Sequence, residues 1–299
     1  MTGVIRDFQL SLFGNINTNQ IVNVASVSQR SPFRYPGGKT WLVPFVMQWL
    51  ISQPKRPSEF IEPFAGGAII GLSVAFEGLA NHVTLVELDE QVAAVWKTII
   101  YGDYEWLADR VAGFNLTPEN VDNVISQTDV SVEEKAFQTI LRNRINRGGI
   151  LAPGAGKIKY GEKGKGIKSR WYPVTLRKRI LNIGKVRERI TFIEGDGIQV
   201  LEQNASCPDI AYFIDPPYTA AGKKAGARLY THSDIDHERL FTITETLAGD
   251  FLMTYDNASG VKQMADQHGF ITELIAMKNT HHTEMAELLI GRNFTWLRG

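Results

Sequence analysis

The chain of 299 residues is short of cysteine, of net charge and of long apolar runs. Its one cysteine, Cys207, excludes an internal disulfide and any zinc site built on several thiolates, and suits a reducing, cytoplasmic setting. The longest apolar stretch, residues 41–51, is interrupted by Gln48 and is too short to span a bilayer. No basic segment followed by an apolar run stands near Met1, so no signal peptide is expected. Internal repeats and low-complexity tracts are missing as well. The six histidines show no ligand spacing, His281-His282 reads as a surface pair, and no catalytic metal is expected.

The zero net charge conceals an asymmetry. Between Arg142 and Arg189 stand fifteen lysines and arginines against two acids, Glu162 and Glu188, and the rest of the chain carries the compensating acid excess. The same segment holds Gly148, Gly149, Gly154, Gly156, Gly161, Gly164 and Gly166, the composition of a basic loop. Such self-repulsion is tolerable where a polyanion neutralises it, and nucleic acid is the natural one. Each phosphate neutralised steepens the salt dependence of binding by roughly one log unit.

An apolar content of 43% fits a globular protein with a substantial core, and the length fits one large domain or a core with an insertion. Residues 59–61 read as a short strand ending at Glu62-Pro63-Phe64-Ala65-Gly66-Gly67, and residues 68–77 as a helix stopped by Gly78. A second strand, residues 83–86, ends in Glu87-Leu88-Asp89-Glu90, with a helix through Trp96. Strand, glycine turn, helix, then strand with a terminal acid is the pattern of a dinucleotide-type α/β unit, which binds ligands beyond the carboxyl ends of parallel strands. Helix starts follow at Thr117-Pro118 and at the Ser131 capping box, with Ala136, Phe137, Ile140 and Leu141 at helical spacing. Leu176, Ile180 and Ile183 suggest another helix. Strand-like runs resume at residues 191–193, 210–214, 251–254, 270–275 and 287–290.

Two motifs carry chemistry. In SPFRYPGGKTW, residues 31–41, Gly-Gly-Lys-Thr imitates a phosphate-binding loop, but the glycine that motif needs five residues before Gly38 is Phe33, and the segment before it is polar. The sharper signal is Asp215-Pro216-Pro217-Tyr218 at the end of an apolar strand. A strand end with a proline turn accounts for the prolines alone. Asp215 and the carbonyl of Pro216 can both accept from one amino group, and Tyr218 can stack on a planar base for roughly 1–3 kcal/mol. Two fixed acceptors favour a pyramidal exocyclic nitrogen whose lone pair can attack, and stabilise the positive charge that grows on it.

Arg34-Tyr35-Pro36-Gly37-Gly38-Lys39, Glu62-Pro63-Phe64-Ala65-Gly66-Gly67 and Asp215-Pro216-Pro217-Tyr218, in that order, resemble the Dam-type (D12 class, alpha group) DNA adenine-N6 methyltransferases. Asn143-Arg144, Arg147-Gly148-Gly149 and Glu287-Leu288-Leu289-Ile290 are similar to further family features, so the resemblance covers residues 31–294. It implies a Rossmann-like S-adenosylmethionine-dependent methyltransferase sheet, formed by residues 31–100 and 190–299, with a helical, basic target-recognition insertion at 101–189. Residues 1–30 are an extension without an assigned role. By resemblance, Asp215, Pro216, Pro217 and Tyr218 are catalytic. Tyr35, Lys39, Glu62, Gly66, Gly67, Glu87, Asp196 and Asp215 meet S-adenosylmethionine: Lys39 pairs with its carboxylate, Glu62 with its ammonium, Glu87 with the ribose hydroxyls and Asp196 with its adenine. An ordinary turn aspartate is the plainer reading of Asp196.

The implied substrate is an adenine flipped out of double-stranded DNA. Arg142, Arg144, Arg147, Lys157, Lys159, Lys163, Lys165, Lys168 and Arg170 are expected to neutralise phosphates, and Lys223, Lys224 and Arg228 to hold the strand near the flipped nucleotide. A monomer or weak dimer, acting alone or beside a cognate restriction endonuclease, is expected. The alternatives are transfer to RNA or to cytosine N4, and a DNA-binding protein without turnover. One departure from the family is Ala68, where a further glycine is usual; altered fit rather than lost binding is expected there. The other is the long stretch before Tyr35, which leaves open an extra DNA contact or an oligomer surface.

Overall fold

The computed structural model describes residues 21–34, 37–218, 235–278 and 284–298. The central strands are near-continuous buried runs whose successive side chains point to opposite faces, so the sheet must be covered on both. On β1 (Glu59–Glu62) Phe60 and Ile61 enter opposite cores, as do Phe213 and Tyr212 on β4 (Ile210–Ile214). With β2 (His82–Glu87), β3 (Ile190–Glu194), β5 (Asp250–Asp256), β6 (Ile271–Lys278) and β7 (Glu284–Gly291) these form a seven-stranded sheet of order β3-β2-β1-β4-β5-β7-β6. Strands β1 to β5 pair in parallel, and β7 runs antiparallel between β5 and β6.

The strand order reverses between β1 and β4. Connections leave these two strands for opposite sides, opening a crevice at their carboxyl ends. Residues 62–67 and 215–218, far apart in sequence, are thereby brought to one place. This is the α/β methyltransferase sheet expected from the motifs.

One face is covered by α1 (Val43–Ser52), α2 (Ile69–Glu77) and α3 (Glu90–Ile100). Onto that layer pack α4 (Tyr104–Gly113), α5 (Pro118–Ile125), α6 (Val132–Ile145) and α7 (Pro173–Gly184), and all share one continuous apolar core. The segment 101–189 is therefore a second helical layer on the sheet rather than a body with a core of its own. The opposite face carries α8 (Gly197–Asn204), α9 (His237–Thr246) and α10 (Ser259–Gln267).

Local signals explain the helix starts. Thr117 accepts from the amide of Asn120 with Pro118 in the first turn, and Ser131 accepts from the amide of Glu134. Glu134 does not reach back to close the capping box; it pairs with Arg110 at 3.1 Å instead. Asp89 caps α3 and Asp196 caps α8.

Helix α2 begins from Ala68 in the left-handed region, at φ 50° and ψ 32°. A side chain there costs about 1 kcal/mol, which a glycine avoids. The variant Ala68→Gly is accordingly expected to raise unfolding stability by about 1 kcal/mol in urea titration. No helix among the described residues is long and apolar enough to cross a membrane.

Candidate functional site

The crevice opens into a cavity of about 990 Å³. One wall comes from the strand ends, and the other from residues 31–34 with α6 and α7.

On the strand wall, Asp215 follows β4 directly and is held from three sides. Its Oδ1 accepts from Thr254 Oγ1 at 2.6 Å and Tyr218 OH at 3.0 Å, and lies 3.1 Å from Lys39 Nζ. Its Oδ2 has no partner among the described residues. The Tyr218 ring stacks on Tyr255 at 5.7 Å between centroids, and Lys39 Nζ lies 4.7 Å from the Tyr218 ring centroid. Tyr255 in turn bonds His237 Nδ1 at 2.7 Å. Burial first, and the carboxylates of Asp215 and Glu287 next, push the Tyr218 hydroxyl well above its ordinary range. It serves as a neutral donor. Pro216 is buried, and Pro217 lines the cavity.

Lys39, only 4% exposed, is shared between Asp215 and Glu287 Oε2, the latter at 3.4 Å. Its ammonium thus faces the Asp215 motif. Glu287 also accepts from Tyr218 OH at 3.2 Å, and burial raises its pKa even though Lys39 pulls it down.

Further along this wall, Glu62 is buried and accepts from the amide of Gly71 at 2.7 Å; burial holds its pKa well above the carboxylate range. A Cβ at Gly71 would stand 2.6 Å from Glu62 Oε2 and 2.5 Å from a Leu85 methyl, so only glycine lets the carboxylate keep this place. Glu87, at the end of β2, accepts from the amides of Gly66 and Asp89, each at 2.8 Å, and burial lifts its pKa to about 7. Trp96 Nε1 donates to the carbonyl of Gly66 at 2.9 Å, pinning the glycine turn from behind. Asp196 lines the cavity while its Oδ1 accepts from the amide of Ile198 at 2.9 Å. Its capping job is the plainer role noted in the sequence.

The other wall is basic. Asn143 on α6 clasps residue 34: its Oδ1 accepts from the amide of Arg34 at 2.8 Å, and its Nδ2 donates to the carbonyls of Arg34 at 2.9 Å and Gly149 at 2.7 Å. Gly149, at φ +77°, has room for no side chain, because a Cβ would collide with the Arg34 carbonyl. Arg144 Nη2 donates to the carbonyl of Pro32, and Arg179 Nη1 to that of Ser31 at 2.9 Å. Residues 31–34 are thus strapped to the helical layer, a role for part of the long stretch before Tyr35.

Arg34, Arg144 and Arg179 all line the cavity, and none forms an ion pair among the described residues. Arg144 Nε is buried without any partner among them. Burial, with Arg179 and Arg34 nearby, lowers the Arg144 pKa to about 9.

Two of the basic residues expected to neutralise phosphates are drawn inward from the outer surface. Arg144 is 4% exposed and does not present a charge to the outer surface. Arg142 is partly buried and donates to Gln91 Oε1 at 3.2 Å and the carbonyl of Ile125 at 3.4 Å. The reason is that α6 is enclosed by the rest of the helical layer, so the last-turn arginines are drawn inward. Arg147, Lys157, Lys159, Lys163, Lys165 and Lys168 are exposed, with Lys157 paired to Asp122, while Arg170 is partly buried and paired to Glu162. Tyr35, Lys223, Lys224, Arg228 and His281-His282 lie outside the described residues.

Thr254, Tyr255, Glu287, Trp96 and Arg179 were given no role in the site by the motifs, and Arg34 stood only as the first residue of one. Glu287 had been noted only within a closing run. Its arrival beside Asp215 depends on β7 pairing with β5, where Tyr255 faces Leu288 and Asp256 faces Glu287 in register.

The profile of the D12 class N6 adenine-specific DNA methyltransferase family matches residues 35–284 of the chain. No curated protein matches it in sequence. Among solved structures it is similar to a candidate RNA methyltransferase from Pyrococcus horikoshii, with 12% identity, 97% of this chain and 98% of that one covered, and a TM-score of 0.38. It is similar also to the precorrin-6y C5,15-methyltransferase of Geobacter metallireducens, at 9% identity, 93% and 95% coverage and a TM-score of 0.36.

Proposed function

The chain belongs to the D12 class of N6 adenine-specific DNA methyltransferases, and on that premise we propose that it moves a methyl group from S-adenosylmethionine to the N6 amine of an adenine flipped out of duplex DNA. The observation that carries this reading is the Asp215 carboxylate, fixed through Oδ1 by Thr254, Tyr218 and Lys39 while Oδ2 is left for an incoming donor.

The cavity residues fit such a cofactor. Glu62, Glu87, Asp196, Asp215 and Glu287 line the strand wall, and a ligand bearing sulfonium and ammonium groups favours the ionised form of those that burial holds toward protonation. Glu87 can accept from a vicinal diol, and the backbone around Gly66 and Gly67 allows close approach. When bound, the cofactor supplies an electrophilic methyl carbon. Asp215 and the carbonyl of Pro216 then draw the N6 hydrogens into their lone pairs, and nitrogen presents its own lone pair for attack. The shed proton becomes acidic only after the C–N bond forms, so Asp215 need not be a strong base.

The basic wall suits the other reactant. Arg34, Arg144 and Arg179, without carboxylate partners among the described residues, can take the phosphate of the nucleotide entering the cavity, and the exposed lysines of the insertion can follow the flanking backbone. Desolvated guanidiniums without a counter-ion are costly in the free protein, and an anionic ligand offsets that cost.

Transfer of labelled methyl groups to mixed-sequence DNA, followed by digestion to nucleosides, tests the reading. N6-methyladenine is the expected product; label on cytosine, on RNA alone, or nowhere would reject it. Glu87 adds a pH signature. With its pKa raised to about 7, the group is protonated below that pH and accepts poorly; deprotonation on raising the pH restores both acceptors. Cofactor affinity, read by calorimetry, is expected to rise between about pH 6 and 8 for wild type and to stay flat for Glu87→Gln.

A further inference from the structure

We propose that Glu287 is a positioning residue for methyl transfer, holding Lys39 and the Tyr218 hydroxyl so that Asp215 keeps a net negative charge toward the target amine. The inference rests on the function proposed above and concerns a residue to which the sequence motifs assign no role.

The argument is one of charge. Asp215 and Glu287 share a single buried ammonium, Lys39 Nζ, at 3.1 and 3.4 Å. Were Lys39 paired with Asp215 alone, the two would cancel, and a cancelled carboxylate does little for a nitrogen becoming positive. Glu287 takes up half of the ammonium and half of the Tyr218 donor, whose oxygen lies 3.0 Å from Asp215 and 3.2 Å from Glu287. The trio then carries one negative charge. That charge matches the single positive charge that passes from sulfur to N6 during the reaction. In this step the N6 lone pair forms the bond to carbon, the C–S electron pair goes to sulfur, and the excess N6 proton passes to the Asp215 carboxylate and on to solvent.

The surroundings support the assignment. Glu287 is set on β7, next to β5, whose Thr254 bonds Asp215 and whose Tyr255 stacks on Tyr218. The titratable groups around it are Lys39, Asp215 and Tyr218, with Asp256 across the register, Glu62 coupled to Asp215, and the Tyr255–His237 pair behind Tyr218. Burial is the main cause of the raised Glu287 pKa, so the trio loses its charge on acidification earlier than an exposed glutamate would.

The experiment is a charge rescue in single-turnover methyl transfer to DNA. Glu287→Gln is expected to lower the rate about 10–100-fold, with cofactor affinity within about threefold of wild type, and to lose the acidic limb of the wild-type pH profile. The double variant Lys39→Met with Glu287→Gln restores the single negative charge and is expected to run at least about tenfold faster than Glu287→Gln. A double variant no faster than Glu287→Gln, or a Glu287→Gln enzyme as fast as wild type, overturns the inference. Should Glu287→Gln fail to fold, Glu287→Asp keeps the charge one methylene back: a shifted acidic limb is expected, and an unmoved one overturns it. No transfer by wild type overturns the functional reading as well; transfer by wild type with unaltered variants overturns this inference alone.

Discussion

Replacing Asp215 by asparagine is expected to slow methyl transfer by about 10³-fold, with cofactor affinity changed only a few-fold. The size follows from geometry. Oδ1 is fixed by three donors, so an asparagine keeps its carbonyl oxygen there and turns its NH₂ to the position of Oδ2. A donor would then face the hydrogens of the target amine where an acceptor is needed. The negative charge is lost too, leaving Lys39 with Glu287. Single-turnover transfer from labelled cofactor to DNA reads the effect. A variant within about tenfold of wild type would remove Asp215 from the reaction.

The second large effect is expected at Arg144. Substituting methionine removes a guanidinium that is 4% exposed, has no carboxylate partner among the described residues and leaves Nε unbonded. A buried charge in that state stabilises the free protein little, so unfolding stability should change by no more than about 1 kcal/mol once the lost bond to Pro32 is included. DNA binding should fall about tenfold at low salt, with the slope of log affinity against log salt shallower by about one. Arg142→Met is the control. Its guanidinium is spent on Gln91 and Ile125 and is absent from the cavity wall, so it should leave the slope unchanged. Equal slopes for the Arg144 variant and wild type would reject the phosphate role.

These two cases show what a sequence does and does not reveal. Asp215 was legible because an apolar strand stopping at an acid, two prolines and a tyrosine is a local pattern, and local patterns survive folding. The glycine turn after β1 and the caps at Thr117 and Ser131 were legible for the same reason. The inward turn of Arg142 and Arg144 was not, because burial of a basic helix end is decided by the helices stacked around it. Thr254 and Glu287 were illegible for a related reason: they reach Asp215 only through pairing of β4 with β5 and of β5 with β7. Helices α1, α4, α8, α9 and α10, none longer than 10 residues, were not read from the sequence. The strands themselves were placed correctly: β4 matches at both ends, β6 was begun one residue early, and the others were drawn short.

The two unlike walls of the cavity bear on the direction of turnover. Phosphate approaching the arginines also feels the carboxylates opposite, and this repulsion eases once a cationic cofactor covers them. DNA should therefore associate more readily with the cofactor-loaded protein. A sulfonium cofactor carries one positive charge more than the thioether that remains after its methyl group has gone. The grip on DNA should accordingly slacken once the methyl group has moved. Chemistry and release would then be joined by nothing more elaborate than a change of one unit of charge in a cavity with a negative side and a positive side.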